Sequence, residues 1–211
     1  VSHVEQALAN KENRICRAKD DYMQSFINGT TLITTEGKRT GQVNALSVMS
    51  TTDYQFGAPS RITATTSFGE GQVFDIERTV DLSGSIHSKG VMILTAYIAS
   101  ILGKTDKIPL STHLTFEQSY GGVDGDSATM AELCAMLSSF ADQPLRQDIA
   151  ITGSMNQFGE SQPIGGVNEK IEGFFDVCNI KGRKNSQGVI IPVSNIHNLM
   201  LRPDIVEAVK K

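Results

Sequence analysis

The order of strand-type and helix-type patterns limits this chain to a mixed fold. From Gly41 the first patterns are β-type: an alternating run over 43–49, a β-branched run over 61–66 after a break at Pro59-Ser60, and a run over 72–77. Helix and strand patterns then alternate without an internal repeat. This order predicts an α/β or α+β class with short mixed sheets, an N-terminal β unit and packed helices.

The spacing of apolar residues predicts the remaining helices and strands and divides the chain into two regions. Helices are predicted over 83–103, 127–141, 167–180, 195–201 and 203–211, strands over 110–117, 148–152 and 188–191, and a hairpin over 153–163. Residues 1–28 have the spacing of one or two helices with a modest apolar stripe. We therefore expect residues 1–39 to form a helical connector and residues 40–211 to form the main domain.

Composition argues against several classes of function. A net charge of −4 and the lack of a basic stripe argue against nucleic-acid binding. No run approaches 18 apolar residues and no signal peptide is visible, so we expect no membrane span. The three cysteines form no CxxC pair, and the four histidines have no metal-ligand spacing, so we expect no metal site and a reduced, cytoplasmic setting.

Ser127 ends a glycine-rich loop, Tyr120-Gly-Gly-Val-Asp-Gly-Asp-Ser127, that leads into an apolar helix. The glycines allow the backbone to approach a substrate closely, and the start of the helix offers free N–H groups for an oxyanion. A serine there is a candidate nucleophile, provided that a base lies nearby. The alternative is that Ser127 is an ordinary helix N-cap.

Lys170 follows a second glycine turn, Pro163-Ile-Gly-Gly-Val-Asn-Glu, and lies on the apolar face of the next helix. It is three residues after Val167 and four before Phe174, so it shares their face. Desolvation lowers the pKa of a lysine, which turns its ammonium into a usable base. The alternative is a lysine at the edge of the face whose amine reaches solvent.

Other chemistries match less well. The serine lacks the second glycine of a GxSxG elbow, since Thr129 stands there, and the chain has no Ser-x-x-Lys. Gly103-Lys104-Thr105 lacks the first glycine of a phosphate-binding loop. His87 or His113 remains open as a base brought close by the fold.

Together these motifs resemble the proteolytic domain of Lon proteases over roughly residues 40–211. The matching segments are the opening strand from Gly41, the Asp-Gly-Asp-Ser127-Ala loop, Thr152-Gly153, the Pro163–Lys170 turn and Gly188-Val-Ile-Ile-Pro192. The loop is most similar to a bacterial Lon-related, B-type branch. The more familiar bacterial form has proline where this chain has Asp126.

The resemblance implies a serine endopeptidase with a Ser127–Lys170 dyad. It also implies that Thr152, 18 residues before the lysine, hydrogen-bonds the lysine. Asp124 and Asp126 are implied as loop or regulatory residues, because an acid near Lys170 opposes a neutral base. In some family members such an acid blocks the lysine.

The resemblance further implies unfolded or misfolded polypeptides as substrates and a homo-oligomeric ring, a hexamer. An ATP-driven unfolding module would precede this chain, with residues 1–28 as its tail. ATP and Mg²⁺ are expected only in that module, and no cofactor is expected here. Two alternatives stay open: a non-catalytic Lon-like scaffold of an ATPase ring protein, and a small-molecule esterase.

Overall fold

The computed structural model describes residues 2–52, 54–103 and 110–210. The helices in this part of the chain are α1 (Ser2–Ile15), α2 (Arg17–Ile27), α3 (Ile76–Thr79), α4 (Ser85–Leu102), α5 (Thr129–Ala141), α6 (Val167–Ile180) and α7 (Pro203–Val209), with a 3₁₀ helix at Val193–Asn198. The strands are β1 (Lys38–Arg39), β2 (Gln42–Ser50), β3 (Gln55–Phe68), β4 (Val73–Asp75), β5 (Leu110–Glu117), β6 (Leu145–Arg146), β7 (Ile149–Ile151), β8 (Ser154–Met155), β9 (Ser161–Gln162) and β10 (Gly188–Ile190).

Six of the described strands form one mixed sheet in the order β10-β7-β2-β3-β5-β4. The long strands β2, β3 and β5 pair antiparallel, whereas β10, β7 and β2 run parallel, as do β5 and β4. Strands β2 and β3 follow one another closely in sequence, whereas helices separate β3 from β5 and the two strands of each parallel pair. The predicted α/β or α+β class, with short mixed sheets and an N-terminal β unit, is confirmed.

Alternating side chains of β2 point to opposite faces of the sheet, and each face carries helices. Val43 and Ala45 belong to a core with α4 and α5, whereas Leu46 packs with Phe174 of α6. This alternation is the two-residue period of a strand buried on both sides. The sheet thus holds α5 and α6 on opposite faces, and their N-terminal ends carry the candidate site.

Helix α2 packs on α6, and the two helices enclose a small apolar cluster of their own. Met23 and Phe26 are buried there with Val177, and Lys181 Nζ donates to Phe26 O over 2.9 Å. Lys19 of α2 pairs with Asp176 of α6 over 2.8 Å. The predicted helical character of the N-terminal segment agrees with the structure, while the boundary at residue 40 stays a prediction.

The break predicted at Pro59-Ser60 was wrong, because β3 runs through both residues. Pro59 lies opposite Leu46 of β2, and β5 pairs with β3 only from Arg61 onward. The first part of β3 therefore has an open edge, where a residue without an N–H is tolerated. The predicted strand 72–77 is also shorter than expected, since Asp75 accepts from Arg78 N and caps α3.

Helix α4 is, among the described residues, the one helix long and apolar enough to span a membrane by length and composition, with a mean hydropathy of 1.3. Leu94 and Ile98 lie within the core against the sheet. Core helices of soluble proteins have the same composition, so this property alone carries little weight. Lys104 and Thr105, which resemble the end of a phosphate-binding loop in sequence, lie outside the described residues.

Candidate active site

Ser127 stands one residue before the N-cap of α5. Positive φ angles of 87° at Gly122 and 88° at Gly125 let the preceding loop turn sharply onto the helix. The N-cap is Ala128, which makes no side-chain capping bond. The prediction that the helix begins at Ser127 was therefore early by two residues, and the N-cap interpretation of its hydroxyl does not describe the structure.

The hydroxyl of Ser127 meets Lys170 instead. Lys170 Nζ lies 2.8 Å from Ser127 Oγ and 3.3 Å from Thr152 Oγ1. The lysine is only 3% exposed and Thr152 is fully buried, so its amine does not extend to solvent. The structure thus brings together the three residues that the sequence singled out, although they are separated by 43 and 18 positions along the chain.

Burial determines the electrostatics of this contact. Desolvation of the ammonium lowers the pKa of Lys170 from its ordinary 10.5 to about 8, while the charge of Asp126 opposes part of that change. A neutral amine is therefore accessible near physiological pH. Such an amine can accept a proton from the Ser127 hydroxyl across the 2.8 Å contact.

Backbone contacts hold Ser127 and Thr152 in register. Ser127 O accepts from Gly153 N over 2.7 Å and from Thr152 Oγ1 over 3.1 Å. Thr152 directly follows β7, which lies between β10 and β2 in the sheet, and its own N–H donates to Ile190 O. The serine is thus attached to a rigid strand end, which suits a site that needs fixed geometry.

Two free N–H groups lie at the nucleophile. Ser127 N and Ala128 N have no hydrogen-bond acceptor among the described residues, whereas Thr129 N donates to Asp126 O. They precede α5, where the helix dipole is positive. An oxyanion formed beside Ser127 Oγ would find donors there.

A close contact between two glycines sets the position of Lys170, and the sequence analysis missed it. A Cβ on Gly57 of β3 would lie 1.9 Å from Glu169 O, and one on Gly173 of α6 would lie 2.3 Å from Gly57 O. Helix α6 therefore rests directly on the backbone of β3. The available signal was Gly173 within an apolar helix, a position that usually marks a close approach.

The carboxylates of Asp124 and Asp126 are hydrogen-bonded to groups other than the lysine amine. Asp124 Oδ1 accepts from the N–H groups of Ile86 and His87 at the start of α4. Asp126 Oδ2 accepts from Ser154 Oγ over 2.8 Å, a contact that the sequence did not suggest. Lys170 takes part in none of the ion pairs formed by the described residues, and the loop or regulatory role of Asp124 and Asp126 stays a prediction.

The histidines that remained open as bases are engaged elsewhere. The imidazole of His87 binds Glu132 and Ser83, and His113 stacks on Phe74 with ring centroids 4.8 Å apart. Neither is hydrogen-bonded to Ser127. In the described part of the chain no group of three or more His, Cys, Asp or Glu side chains is placed to hold a metal ion.

Comparison with known proteins gives a consistent result. The "Putative Lon protease homolog" of Escherichia coli (strain K12) is 51% identical over 197 residues, which cover 92% of this chain and 33% of the relative. The protein of the same name from Haemophilus influenzae (strain ATCC 51907 / DSM 11121 / KW20 / Rd) is 47% identical over 194 residues, 91% of this chain and 32% of the relative. The "Archaeal Lon protease" of Thermococcus kodakarensis (strain ATCC BAA-918 / JCM 12380 / KOD1) is 34% identical over 183 residues, 85% of this chain and 26% of the relative.

The chain thus spans about a third or less of the length of these relatives. The family model of the Lon protease (S16) C-terminal proteolytic domain matches residues 63–211, which is more than half of the chain. That range contains the Ser127 loop, Thr152 and Lys170. The chain therefore belongs to the Lon protease C-terminal proteolytic domain family.

Proposed function

We propose that this Lon-type protease domain is a serine endopeptidase in which Ser127 is the nucleophile and Lys170 the general base. The observation that carries the proposal is the 2.8 Å contact between Lys170 Nζ and Ser127 Oγ, made by a lysine that is 3% exposed. A lysine that only packs in a core would not direct its amine at a serine hydroxyl. The lowered pKa of Lys170 supplies the neutral amine that the step requires.

In the first half-reaction, neutral Lys170 takes the hydroxyl proton while Ser127 Oγ bonds to the carbonyl carbon of the substrate. The carbonyl π electrons move to oxygen, and the unpaired N–H groups of Ser127 and Ala128 would stabilise that oxyanion. When the oxyanion collapses, the C–N bond breaks and the Lys170 ammonium gives its proton to the departing amine. Water then attacks the acyl-serine by the same steps and releases the acid.

Thr152 would orient the lysine. Its Oγ1 donates to Ser127 O and lies 3.3 Å from Lys170 Nζ, so the hydroxyl links the two reacting residues. Asp124 and Asp126 would act as loop residues. Asp124 fixes the loop to α4, and Ser154 holds the carboxylate of Asp126 while its charge still acts on the lysine.

The substrates and partners that we propose are those of a Lon protease in its natural length. They are unfolded or misfolded polypeptides, cleaved inside a homo-oligomeric ring, a hexamer, in the cytoplasm. ATP and Mg²⁺ would be used by a separate unfolding module outside this chain, and the chemistry at Ser127 would need no cofactor. We propose no membrane or nucleic-acid role for this domain, whose net charge is −4.

The test is the cleavage of casein, an unfolded protein, by the protein in its natural length, with Ser127→Ala and Lys170→Ala as variants. Both variants are expected to lose cleavage at least about a thousandfold, because residues that act as a unit fail together. Lys184→Ala, which removes an exposed ion pair with Glu36, is the matched control and should keep full activity. Cleavage retained by Ser127→Ala would refute the assignment.

The same assay separates the two alternatives. A non-catalytic scaffold would show no cleavage in the wild type and no labelling of Ser127 by a fluorophosphonate. A small-molecule esterase would hydrolyse an activated ester through Ser127 but leave casein and unfolded peptides intact. An endopeptidase is expected to be labelled at Ser127 and to cleave casein.

A further inference from the structure

A buried cluster of ionisable groups lies beneath the loop that carries Ser127. His87 Nε2 is 2.7 Å from Glu132 Oε1, and His87 Nδ1 is 2.7 Å from Ser83 Oγ and 3.8 Å from Asp75 Oδ2. Glu77 adds a third buried carboxylate, which accepts from Phe116 N. His87 is 1% exposed and Glu132 is fully buried.

This cluster is costly as a purely structural element. One oxygen of each carboxylate, Asp75 Oδ2, Glu77 Oε2 and Glu132 Oε2, has no hydrogen-bond partner among the described residues. Apolar residues of similar volume would often be as stable as such a buried polar group or more so. Buried polar contacts of this kind can instead fix one arrangement of the elements that they join.

The charge balance of the cluster strengthens the link between His87 and Glu132. Burial by itself would lower the pKa of His87, but the hydrogen bond with Glu132 and the charges of Glu132, Asp75 and Glu77 outweigh it and raise that pKa. Asp124, which accepts from the backbone of His87, adds a further negative charge nearby. The imidazolium form therefore makes a charge-assisted bond to Glu132.

The first turn of α4, which carries His87, is fastened to the catalytic loop. Asp124 Oδ1 accepts from Ile86 N over 3.1 Å and from His87 N over 3.3 Å. Val123 pairs with Ser83 in a parallel bridge, and its carbonyl accepts from Gly84 N over 2.8 Å. A displacement of this turn would therefore move the loop that ends in Ser127.

Glu132 supplies the other side of the connection. It lies in the first turn of α5, five residues after Ser127, and its N–H donates to Ala128 O. Helices α4 and α5 also approach closely at Gly90, where a Cβ would lie 2.8 Å from Thr129 Oγ1. The His87–Glu132 bond thus joins the helix that holds the loop with the helix that follows the nucleophile.

We propose that His87 is a positioning residue for Ser127: its bond to Glu132 locks the start of α4 onto α5, and so fixes the loop that presents the serine hydroxyl to Lys170. Both ring nitrogens of His87 are occupied, and neither contacts Ser127, so the residue acts through the loop. The inference rests on the proposed Ser127–Lys170 dyad. Loosening this lock would lower the rate of the chemical step and leave substrate affinity nearly unchanged.

The experiment measures the labelling of Ser127 by a fluorophosphonate in the full chain, resolved into a maximal rate and a half-saturating concentration. Two substitutions divide the contacts of His87. The amide of His87→Gln reaches the position of Nε2 and keeps Glu132, whereas the amide of His87→Asn reaches only the position of Nδ1 and keeps Ser83. We expect a maximal rate within about threefold of wild type for His87→Gln and at least about tenfold lower for His87→Asn, because small displacements at a reacting centre are costly.

The half-saturating concentration should stay within about twofold in both variants, since the probe-binding surface is unchanged. Glu132→Met removes the same contact from the other side, and it decides the question if His87→Asn is not recovered folded. Ser138→Ala is the structural control: Ser138 Oγ accepts from Gly41 N and donates to Gln143 O near the far end of α5. It should lose stability and keep the maximal rate.

Equal maximal rates for His87→Gln and His87→Asn would overturn the positioning role. A loss in Ser138→Ala as large as that in His87→Asn would overturn it as well, because the effect would then follow stability alone. The failure of the dyad itself is distinct: in that case wild-type Ser127 would not be labelled at all.

Discussion

Replacing Lys170 with methionine is expected to stabilise the fold at neutral pH while abolishing activity. A pKa lowered from 10.5 to about 8 means that the folded state disfavours the ammonium by roughly 3 kcal/mol, at about 1.36 kcal/mol per pKa unit. Methionine keeps most of the side-chain volume and carries no charge. It also gives up the contacts with Ser127 and Thr152, each worth about 1 kcal/mol.

The net expectation is a gain of about 1 kcal/mol in the free energy of unfolding at pH 7 for Lys170→Met. The difference in unfolding free energy between the variant and the wild type changes sign at high pH. Because the folded-state pKa is depressed, the unfolded chain binds more protons between about pH 8 and 10.5, so wild-type stability rises over that window. Near pH 10 the wild type should be more stable than the variant by about 1 kcal/mol, because the ammonium then costs the folded state only about 0.8 kcal/mol.

Urea unfolding at pH 7, 8, 9 and 10 measures this crossing, with Lys89→Met, a change of an exposed lysine on α4, as the control for methionine itself. A variant less stable than wild type by about 3 kcal/mol at pH 7 would refute the reasoning, since it would mean that the lysine is held by strong contacts. A stability difference that does not change with pH would refute it too.

Three further outcomes follow from the same geometry. Asp126→Asn removes a charge that raises the pKa of Lys170. The rising limb of kcat/KM against pH should therefore move to a lower pH than its wild-type position near 8, and an unchanged limb would contradict this. Gly57→Ala should lower the free energy of unfolding in urea by about 3 kcal/mol and remove most of the Ser127 labelling, because the new methyl would lie 1.9 Å from Glu169 O. Stability and labelling equal to wild type would show that α6 can shift freely. Thr152→Val should slow Ser127 acylation about tenfold with a folded protein by circular dichroism, because the lysine loses a hydroxyl that orients it, and an unchanged rate would remove that role.

Local patterns were sufficient to predict most elements of the fold. Strand β5 and helix α6 have the bounds that periodicity predicted, and the hairpin β8–β9 lies within the predicted turn region. The break predicted at Pro59 was wrong for a physical reason. Proline is excluded from a strand only where the edge at its position is paired, and the sequence of one strand does not show which strands lie beside it.

Some residues of the candidate site could likewise be predicted from local sequence, and others could not. Ser127 and Lys170 stand out because a glycine loop and a lysine on an apolar face are local signals. Ser154, Gly57 and Glu132 give no local signal, since their importance comes from partners 28, 112 and 45 positions away. Such contacts depend on how helices cross the sheet, and a single sequence does not determine that.

The central claim, that Lys170 is a neutral base held against Ser127, is tested most directly by titrating its amine. Proteins with ¹³C- and ¹⁵N-labelled lysine report the protonation of each Nζ by NMR, and Lys170→Arg identifies the resonance. We expect a pKa of about 8 for the Lys170 amine, and a lower pKa when Asp126 is changed to Asn. A titration near the ordinary value of 10.5 would contradict it.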